Sequence, residues 1–394
     1  MALKKKIFIW TGSFYPKVGG LEVASLEYSK YLIKKGYEVT VITNKNPSNL
    51  PSKDIFNGIV IKRFRFFHSP INYLKFFRFD LLLSWLFFKI FTLVRLMILF
   101  IKNKPSVINL HFPDHQLFEI LILKLLFKFD LIVNLHGNEV ERLGLLKKYS
   151  LRFLFYQILF KNANLIIACS KSLMRKAETL MPNINKCKFK VVQNGVSRIF
   201  LSTKTGSIKS DFIFSAMRFV PTKGLDLMIK SLHLLKLKNN IFVAGGKYQE
   251  AINIIDDGEL DLSVKYIGQI SPQLITNYLN ETMLTIIPSR EETFGIFLAE
   301  AICCGSPVVV TNVGGIPEVI LIAKKNMNHK QKILFDSFVR VTPPNVKSLS
   351  MSIKLILMNK SNIEEYLKLI PIIRKNFEWN SILNNLFKSI KLRT

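Results

Sequence analysis

Acidic residues are scarce in this chain of 394 residues: 27 Asp and Glu stand against 56 Lys and Arg, a formal charge of +29. Such a balance predicts attraction to polyanions, among them nucleic acid, anionic membranes and phosphorylated substrates. The chain is also rich in Lys, Ile, Asn and Phe throughout, so part of the charge is a drift of composition. Cysteine is nearly absent. The four present, Cys169, Cys187, Cys303 and Cys304, make no Cys-x-x-Cys pair and have no His cluster near them. This argues against structural zinc and a disulfide framework, and fits a reducing cytoplasm. The Gly-x-Gly-x-x-Gly fingerprint is missing too. The first apolar run, 7–10, breaks at Thr11-Gly12-Ser13, too short for a signal peptide, and reads as a buried strand behind solvated lysines.

What is present alternates. Residues 7–11 read as a strand, 21–35 as a helix with apolar residues at helical spacing, and 39–43 as a second strand. A strand–loop–helix–strand unit of this kind implies a parallel sheet with a right-handed crossover. Short apolar runs at 107–110, 131–135, 165–169 and 190–193 extend the sheet, and Asn194-Gly195 closes it as a turn dipeptide. The same grammar restarts with strands at 211–216, 240–244, 263–268, 283–288 and 307–311. Helices at 225–237, 273–279 and 295–304 lie between them. Residues 202–210 read as the linker. Two doubly wound α/β halves follow, with ligands expected beyond the C-terminal strand ends in a cleft between the halves.

Residues 61–104 stand apart. Nine Lys and Arg face a single acid, Asp80, and eleven Phe and Trp lie among them. Residues 81–101 are nearly all apolar and would make a helix of roughly 30 Å, about the thickness of a hydrocarbon core. Lys89 and Arg95 would then sit mid-bilayer at about 2.5–3.5 kcal/mol each, which disfavours a span. Two readings stay open: a buried helix with basic ends, or a patch lying in the membrane interface with Lys and Arg on anionic headgroups.

Four motifs carry chemistry. In Ser289-Arg290-Glu291-Glu292-Thr293-Phe294-Gly295, running on to Glu300, Gly295 permits close backbone approach and the helix start offers free N–H groups to a phosphate. Glu292 and Glu300 would grip different parts of one extended ligand. Arg218 and Lys223 follow a strand, where they form a clamp for a diphosphate. Gly19-Gly20 is a flexible loop between strand and helix, suited to phosphate. His136, at a strand end in Leu135-His136-Gly137-Asn138-Glu139, could hydrogen-bond a sugar hydroxyl.

These residues resemble the retaining glycosyltransferases of family 4, with the GT-B fold: two Rossmann-like doubly wound domains facing a central cleft. The segment from Glu292 to Glu300 looks like that family's E-x7-E motif. The run from Pro307 to Glu318, Val-Val-Val-Thr-Asn-Val-Gly-Gly-Ile within it, looks like its continuation. Asn194-Gly195-Val196 matches its interdomain turn, and Asn376-Phe377-Glu378-Trp379 its final helix. The resemblance implies an N-terminal acceptor-side domain over 1–200, a nucleotide-sugar domain over 201–375 and a helix over 376–394 that packs back on the first. It implies transfer from a UDP- or GDP-sugar to a glycan or lipid-linked acceptor, in surface polysaccharide, lipopolysaccharide or glycolipid synthesis. Arg218 and Lys223 would neutralise the diphosphate, and Gly19, Gly20, Phe294 and Gly295 would contact phosphate through backbone. Glu300 would bind the ribose hydroxyls, while Glu292 and His136 would position the transferred sugar. No cofactor is implied. No Asp-x-Asp motif appears, and Arg and Lys can stand in for a metal.

One departure is the stretch 321–338, which lacks Gly and is basic where the family has a short Gly-containing loop. The block 61–104 is also more apolar than a soluble member needs, which implies peripheral contact with the inner face of an anionic membrane. A nucleotide-sugar epimerase of the same fold is the alternative. Nucleic-acid binding rests on charge alone and no nucleic-acid motif supports it.

Overall fold

A computed structural model gives the fold; it describes residues 5–17, 19–66, 79–148, 150–204, 210–237, 239–255, 264–358 and 362–389. Chain contacts divide it into two compact units, residues 1–193 with 383–394, and residues 194–382. The sequence reading puts its boundaries after residues 200 and 375. Most of the expected linker, 205–209, lies outside the described residues, as do 67–78 of the basic block.

The first unit is one eight-stranded sheet. Its strands are β1 (Lys6–Thr11), β2 (Glu38–Asn44), β3 (Lys53–Phe56), β4 (Ile59–Phe64), β5 (Val107–His111), β6 (Asp130–Leu135), β7 (Leu165–Ala168) and β8 (Phe189–Val191). They lie in the order β3-β4-β2-β1-β5-β6-β7-β8, parallel except for the β3–β4 pair. β5 and β6 are buried at every position, which is why they read as unbroken apolar runs. The β3–β4 hairpin is absent from the sequence expectation. It turns on Asn57-Gly58, both at positive φ (52° and 76°), as a tight hairpin turn needs.

The second unit is a six-stranded parallel sheet: β9 (Phe212–Ala216), β10 (Asn240–Ala244), β11 (Val264–Gly268), β12 (Leu284–Ile287), β13 (Val308–Thr311) and β14 (Val339–Thr342). The order is β11-β10-β9-β12-β13-β14, the 3-2-1-4-5-6 order of a dinucleotide-binding sheet. Its topological switch point lies between β9 and β12. Ile213, Leu225, Met228, Ile241, Ile286 and Leu349 are fully buried in one cluster. Each contributes about 1.5–3 kcal/mol by leaving water.

Two segments differ from expectation for physical reasons. Residues 321–338 hold the end of helix Ile316–Ala323, a turn, and the whole of helix His329–Phe338. Asn326 takes the left-handed conformation (φ 67°) that a glycine would otherwise supply. Asn328 and Gln331 then cap the new helix reciprocally. The apolar run forms helix Phe79–Asn103, neither wholly buried nor wholly exposed. Lys89, Thr92, Leu96, Leu99 and Phe100 turn inward at helical spacing, while Phe87, Ile90, Phe91, Val94, Ile98 and Ile101 are exposed.

Helix Trp379–Ser389 straddles the division of the chain. Its later turns lie in the first unit, where Tyr31 Oη donates to Asn384 Oδ1 at 2.8 Å and stacks on Phe387. In the second unit, a Cβ on Gly195 would fall 2.7 Å from the Trp379 ring, and Val196 N donates to Phe377 O at 2.9 Å. Asn194-Gly195 forms no turn in the structure and is instead a place of close packing.

Candidate active site

The loops after β9 and β12 leave adjacent strands at the switch point of the second unit and are tied together. Arg290 N and Glu291 N donate to Thr222 O at 2.8 and 3.2 Å. Arg290 makes a two-pronged pair with Asp226, both bonds 2.7 Å, and also donates to Pro221 O. This brace brings Lys223 Nζ within 2.5 Å of Glu292 Oε1, with both side chains mostly shielded. Ser289 Oγ donates to the same oxygen at 3.3 Å.

Glycines make the close approach possible. Gly224 (φ 71°) packs so that a Cβ would lie 2.1 Å from Pro288 O. Gly314 (φ 52°) would place one 1.7 Å from Glu292 O, and Gly315 N donates to that oxygen at 2.9 Å. The turn Gly314-Gly315 is therefore a bed that fixes the Glu292 backbone. Only residues without a Cβ fit it.

Phe294 is buried, and Gly295 (φ 97°) precedes helix Ile296–Cys303, with a prospective Cβ 2.6 Å from Ile316 Cδ1. The first N–H groups of that helix have no partner four residues back, so they suit an anion. Glu300, half-buried on the same helix, has its carboxyl pushed up to about 8 by burial. The Arg218 side chain is exposed and makes no hydrogen bond or ion pair among the described residues. The structure thus brings Lys223 and Glu292 into contact, with Phe294, Gly295 and Glu300 following in the same segment and a free cation at Arg218.

The remaining candidates stand in the first unit, whose switch point lies between β1 and β5. Gly19 and Gly20 follow β1 and open helix Gly20–Lys34, both exposed, and a Cβ on Gly19 would meet Glu22 Oε2 at 2.8 Å. His136 follows β6. Its Nε2 lies 3.1 Å from Nδ1 of His111, at the end of β5. Burial lowers the pKa of both rings, His136 to about 4, and the nearby His136 adds to the effect on His111.

Glu139 accepts hydrogen bonds from the backbone N–H of His136 and, at 3.2 Å, of Gly137. It therefore holds the loop in shape, and burial pushes its own carboxyl up to about 7. Sequence reasoning passes over His111, Glu139 and the Asp226–Arg290 brace. Glu139 had a signal, an acid three residues after His136 at a helix start. His111 and Asp226 had none, because their partners lie 25 and 64 residues away.

Family models match both halves. The model "Glycosyltransferase Family 4" matches residues 18–198, and "Glycosyl transferases group 1" matches 200–375. The chain belongs to glycosyltransferase family 4. It is 27% identical over 214 residues to an uncharacterized glycosyltransferase of Methanocaldococcus jannaschii, 52% of this chain and 57% of that protein. It is 23% identical to the phosphatidylinositol N-acetylglucosaminyltransferase GPI3 subunit of Saccharomyces cerevisiae, over 78% of this chain and 68% of the other.

Among solved structures, sucrose-phosphate synthase from Thermosynechococcus elongatus superposes with a TM-score of 0.75 at 16% identity, covering 98% of each chain. Anabaena HepE in complex with UDP-glucose gives 0.65 at 17%, also covering 98% of each. These likenesses show that this glycosyltransferase has the GT-B fold.

Proposed function

We propose that this glycosyltransferase moves a hexosyl group, with retention of anomeric configuration, from a UDP- or GDP-sugar to a glycan or lipid-linked acceptor in cell-surface polysaccharide or glycolipid synthesis. The observation that carries the donor half is the meeting of Lys223 and Glu292 at the switch point of a 3-2-1-4-5-6 sheet, with Arg218 five residues before Lys223 and without an ion pair among the described residues. In this reading Arg218 and Lys223 neutralise the diphosphate, whose charge grows as the bond from C1 to phosphate breaks. The Phe294–Gly295 backbone contacts phosphate, Glu300 accepts from the ribose hydroxyls, and Glu292 positions the sugar. Gly19 and Gly20 offer backbone to a phosphate and His136 a hydrogen bond to a sugar hydroxyl.

The acceptor oxygen forms its bond to C1 on the face the phosphate leaves, and the acceptor proton passes to the departing phosphate oxygen. No metal is part of this proposal, since the two basic side chains supply the positive charge. HepE, a neighbour in fold, is solved with UDP-glucose, and GPI3, a relative, is named for transfer to phosphatidylinositol. Both support a nucleotide-sugar donor and a lipid-linked acceptor here. The exposed apolar face of helix Phe79–Asn103 supports peripheral contact with the cytoplasmic face of a membrane.

The test is release of UDP or GDP from a panel of nucleotide sugars by the purified chain, with excess EDTA present and absent. Sugar-dependent release that EDTA leaves unchanged is expected. An absolute requirement for added divalent metal would overturn the metal-free part, and no release from any nucleotide sugar, with lipid-linked acceptors supplied, would overturn the whole.

A further inference from the structure

Arg63, on β4, is a fully buried cation, 1% exposed. It continues an apolar face, for Ile59 and Ile61 before it are buried on the same side of the strand. An apolar residue at 63 would take no charge out of water, whereas a buried guanidinium is costly unless paired and hydrogen-bonded. Asp54 pairs with it at 3.0 Å, but that side chain is 32% exposed. Arg63 Nε has no hydrogen-bond partner among the described residues. Its other bonds go to backbone: Nη1 donates to Pro51 O at 3.1 Å and Nη2 to Tyr15 O at 2.8 Å.

The bond to Tyr15 crosses the sheet. Arg63 stands opposite Thr43 of β2, and Thr43 opposite Thr11 of β1, so the three side chains share one row on one face. The guanidinium therefore reaches past β2 to the loop that leaves β1 and ends in Gly19-Gly20. Thr11, from the same row, holds that loop two residues earlier, where its Oγ1 donates to Ser13 O at 2.9 Å. Lys17 N donates to Phe14 O at 3.3 Å. Three successive carbonyls, those of Ser13, Phe14 and Tyr15, are thus taken up by the chain. The Tyr15 ring stacks on Phe56 of β3 with centroids 3.7 Å apart, so the β3–β4 hairpin grips this residue by backbone and by ring. A loop that offers N–H groups to an anion must turn its carbonyl oxygens, which are partly negative, elsewhere. Arg63 does so for the one carbonyl of the three whose donor lies 48 residues away.

We propose that Arg63 is a positioning residue for sugar transfer: through Tyr15 it sets the loop whose Gly19 and Gly20 backbone meets a phosphate. The proposal rests on the phosphate role read above for those two glycines.

The test follows two readouts in the full chain, well below the unfolding temperature of every variant. One is amide hydrogen exchange over residues 12–20. The other is nucleotide release from UDP-glucose, UDP-N-acetylglucosamine and GDP-mannose. Arg63→Met should speed exchange in the loop and lower kcat about 10- to 100-fold, the range of one charge-assisted hydrogen bond. KM should change far less, since the cations proposed to hold the donor stand in the second unit. Arg63→Lys, which keeps one charged donor, should recover part of kcat. Ile61→Ala opens a cavity on the same strand without touching the tether; it should lower the unfolding temperature and leave kcat and loop exchange at the parent's values. Unchanged loop exchange or unchanged kcat in Arg63→Met would overturn the proposal, and so would an equal loss of kcat in Ile61→Ala. Gly19→Ala/Gly20→Ala separates the two readings. Full turnover there would count against the phosphate role of the glycines, whereas a loss there beside a fully active Arg63→Met would sink the role of Arg63 alone.

Discussion

Lys223 Nζ and Glu292 Oε1 stand 2.5 Å apart across two loops that leave neighbouring strands of the second sheet. The cation proposed for the diphosphate is held by the carboxylate proposed for the sugar, so each positions the other, which is how a site lowers the cost of reorganisation. Lys223→Ala should weaken a nucleoside diphosphate about 10- to 100-fold, the range of one charge-assisted hydrogen bond, while hardly changing a nucleoside monophosphate. Calorimetric titration of the two ligands reads the difference.

The bed under Glu292 predicts a stability effect. Gly314→Ala puts a methyl 1.7 Å from Glu292 O at a left-handed φ of 52°. A loss of at least about 2 kcal/mol is expected from strain and clash together. Urea unfolding followed by circular dichroism gives the value, and donor binding should fall with it because Glu292 moves.

Much of this architecture was legible in the sequence because parallel strands buried on both faces leave unbroken apolar runs, as β5, β6 and β13 do. The segment from Ser289 to Glu300 was legible because its glycine and helix start are local. What escaped was local but faint, or not local at all. The Asn57-Gly58 hairpin joins two short strands at a sheet edge, where the alternation is brief. Asn326 hid the turn before helix His329–Phe338 by doing a glycine's work. The Asp226–Arg290 brace and the His111–His136 contact join residues that only the sheet order brings together.

Buried acids set the pH dependence. Burial raises the carboxyls of Glu300 and Glu139 from an ordinary 4.5 to about 8 and about 7. Between 4.5 and these values the folded chain holds protons that the unfolded chain has lost. These two groups therefore make stability fall as pH rises through that window, with no further change above about 8. Thermal unfolding from pH 5 to 8.5 should show a downward slope, and Glu300→Gln should flatten it. Ribose hydroxyls donate best to an ionised Glu300, so nucleotide affinity should rise with pH between 6 and 8 and do so less in Glu300→Gln.

The histidine pair gives a spectroscopic prediction. His111 Nε2 is buried without a hydrogen-bond partner among the described residues. A buried N–H without an acceptor is rarer than a bare acceptor, so the His111 proton belongs on Nδ1 and is donated to His136 Nε2. His136 then carries its own proton on Nδ1. Nitrogen-15 spectra of labelled histidine should show both rings neutral from pH 5.5 to 8 with His136 in the Nδ1–H form. His111→Phe should free the His136 tautomer, while His111→Asn, which keeps a donor, should hold it.

The inward face of helix Phe79–Asn103 predicts a large single-site effect. Lys89→Ala strands Glu119 in the core and should cost about 3–5 kcal/mol. Lys89→Met/Glu119→Leu should recover most of it, since an apolar pair of similar volume replaces both charges. Denaturant midpoints of the three chains decide this.

The donor site in the second unit is tested most directly by thermal shift of the full chain with UDP, GDP and their sugars, in parent, Arg218→Ala and Glu300→Ala. At a ligand concentration a hundred times its dissociation constant, about 2.7 kcal/mol of stabilisation is expected in the parent. Both variants should lose most of it, each measured against its own unfolding temperature without ligand. Stabilisation that survives in both variants, or none in the parent with any nucleotide, would contradict the account.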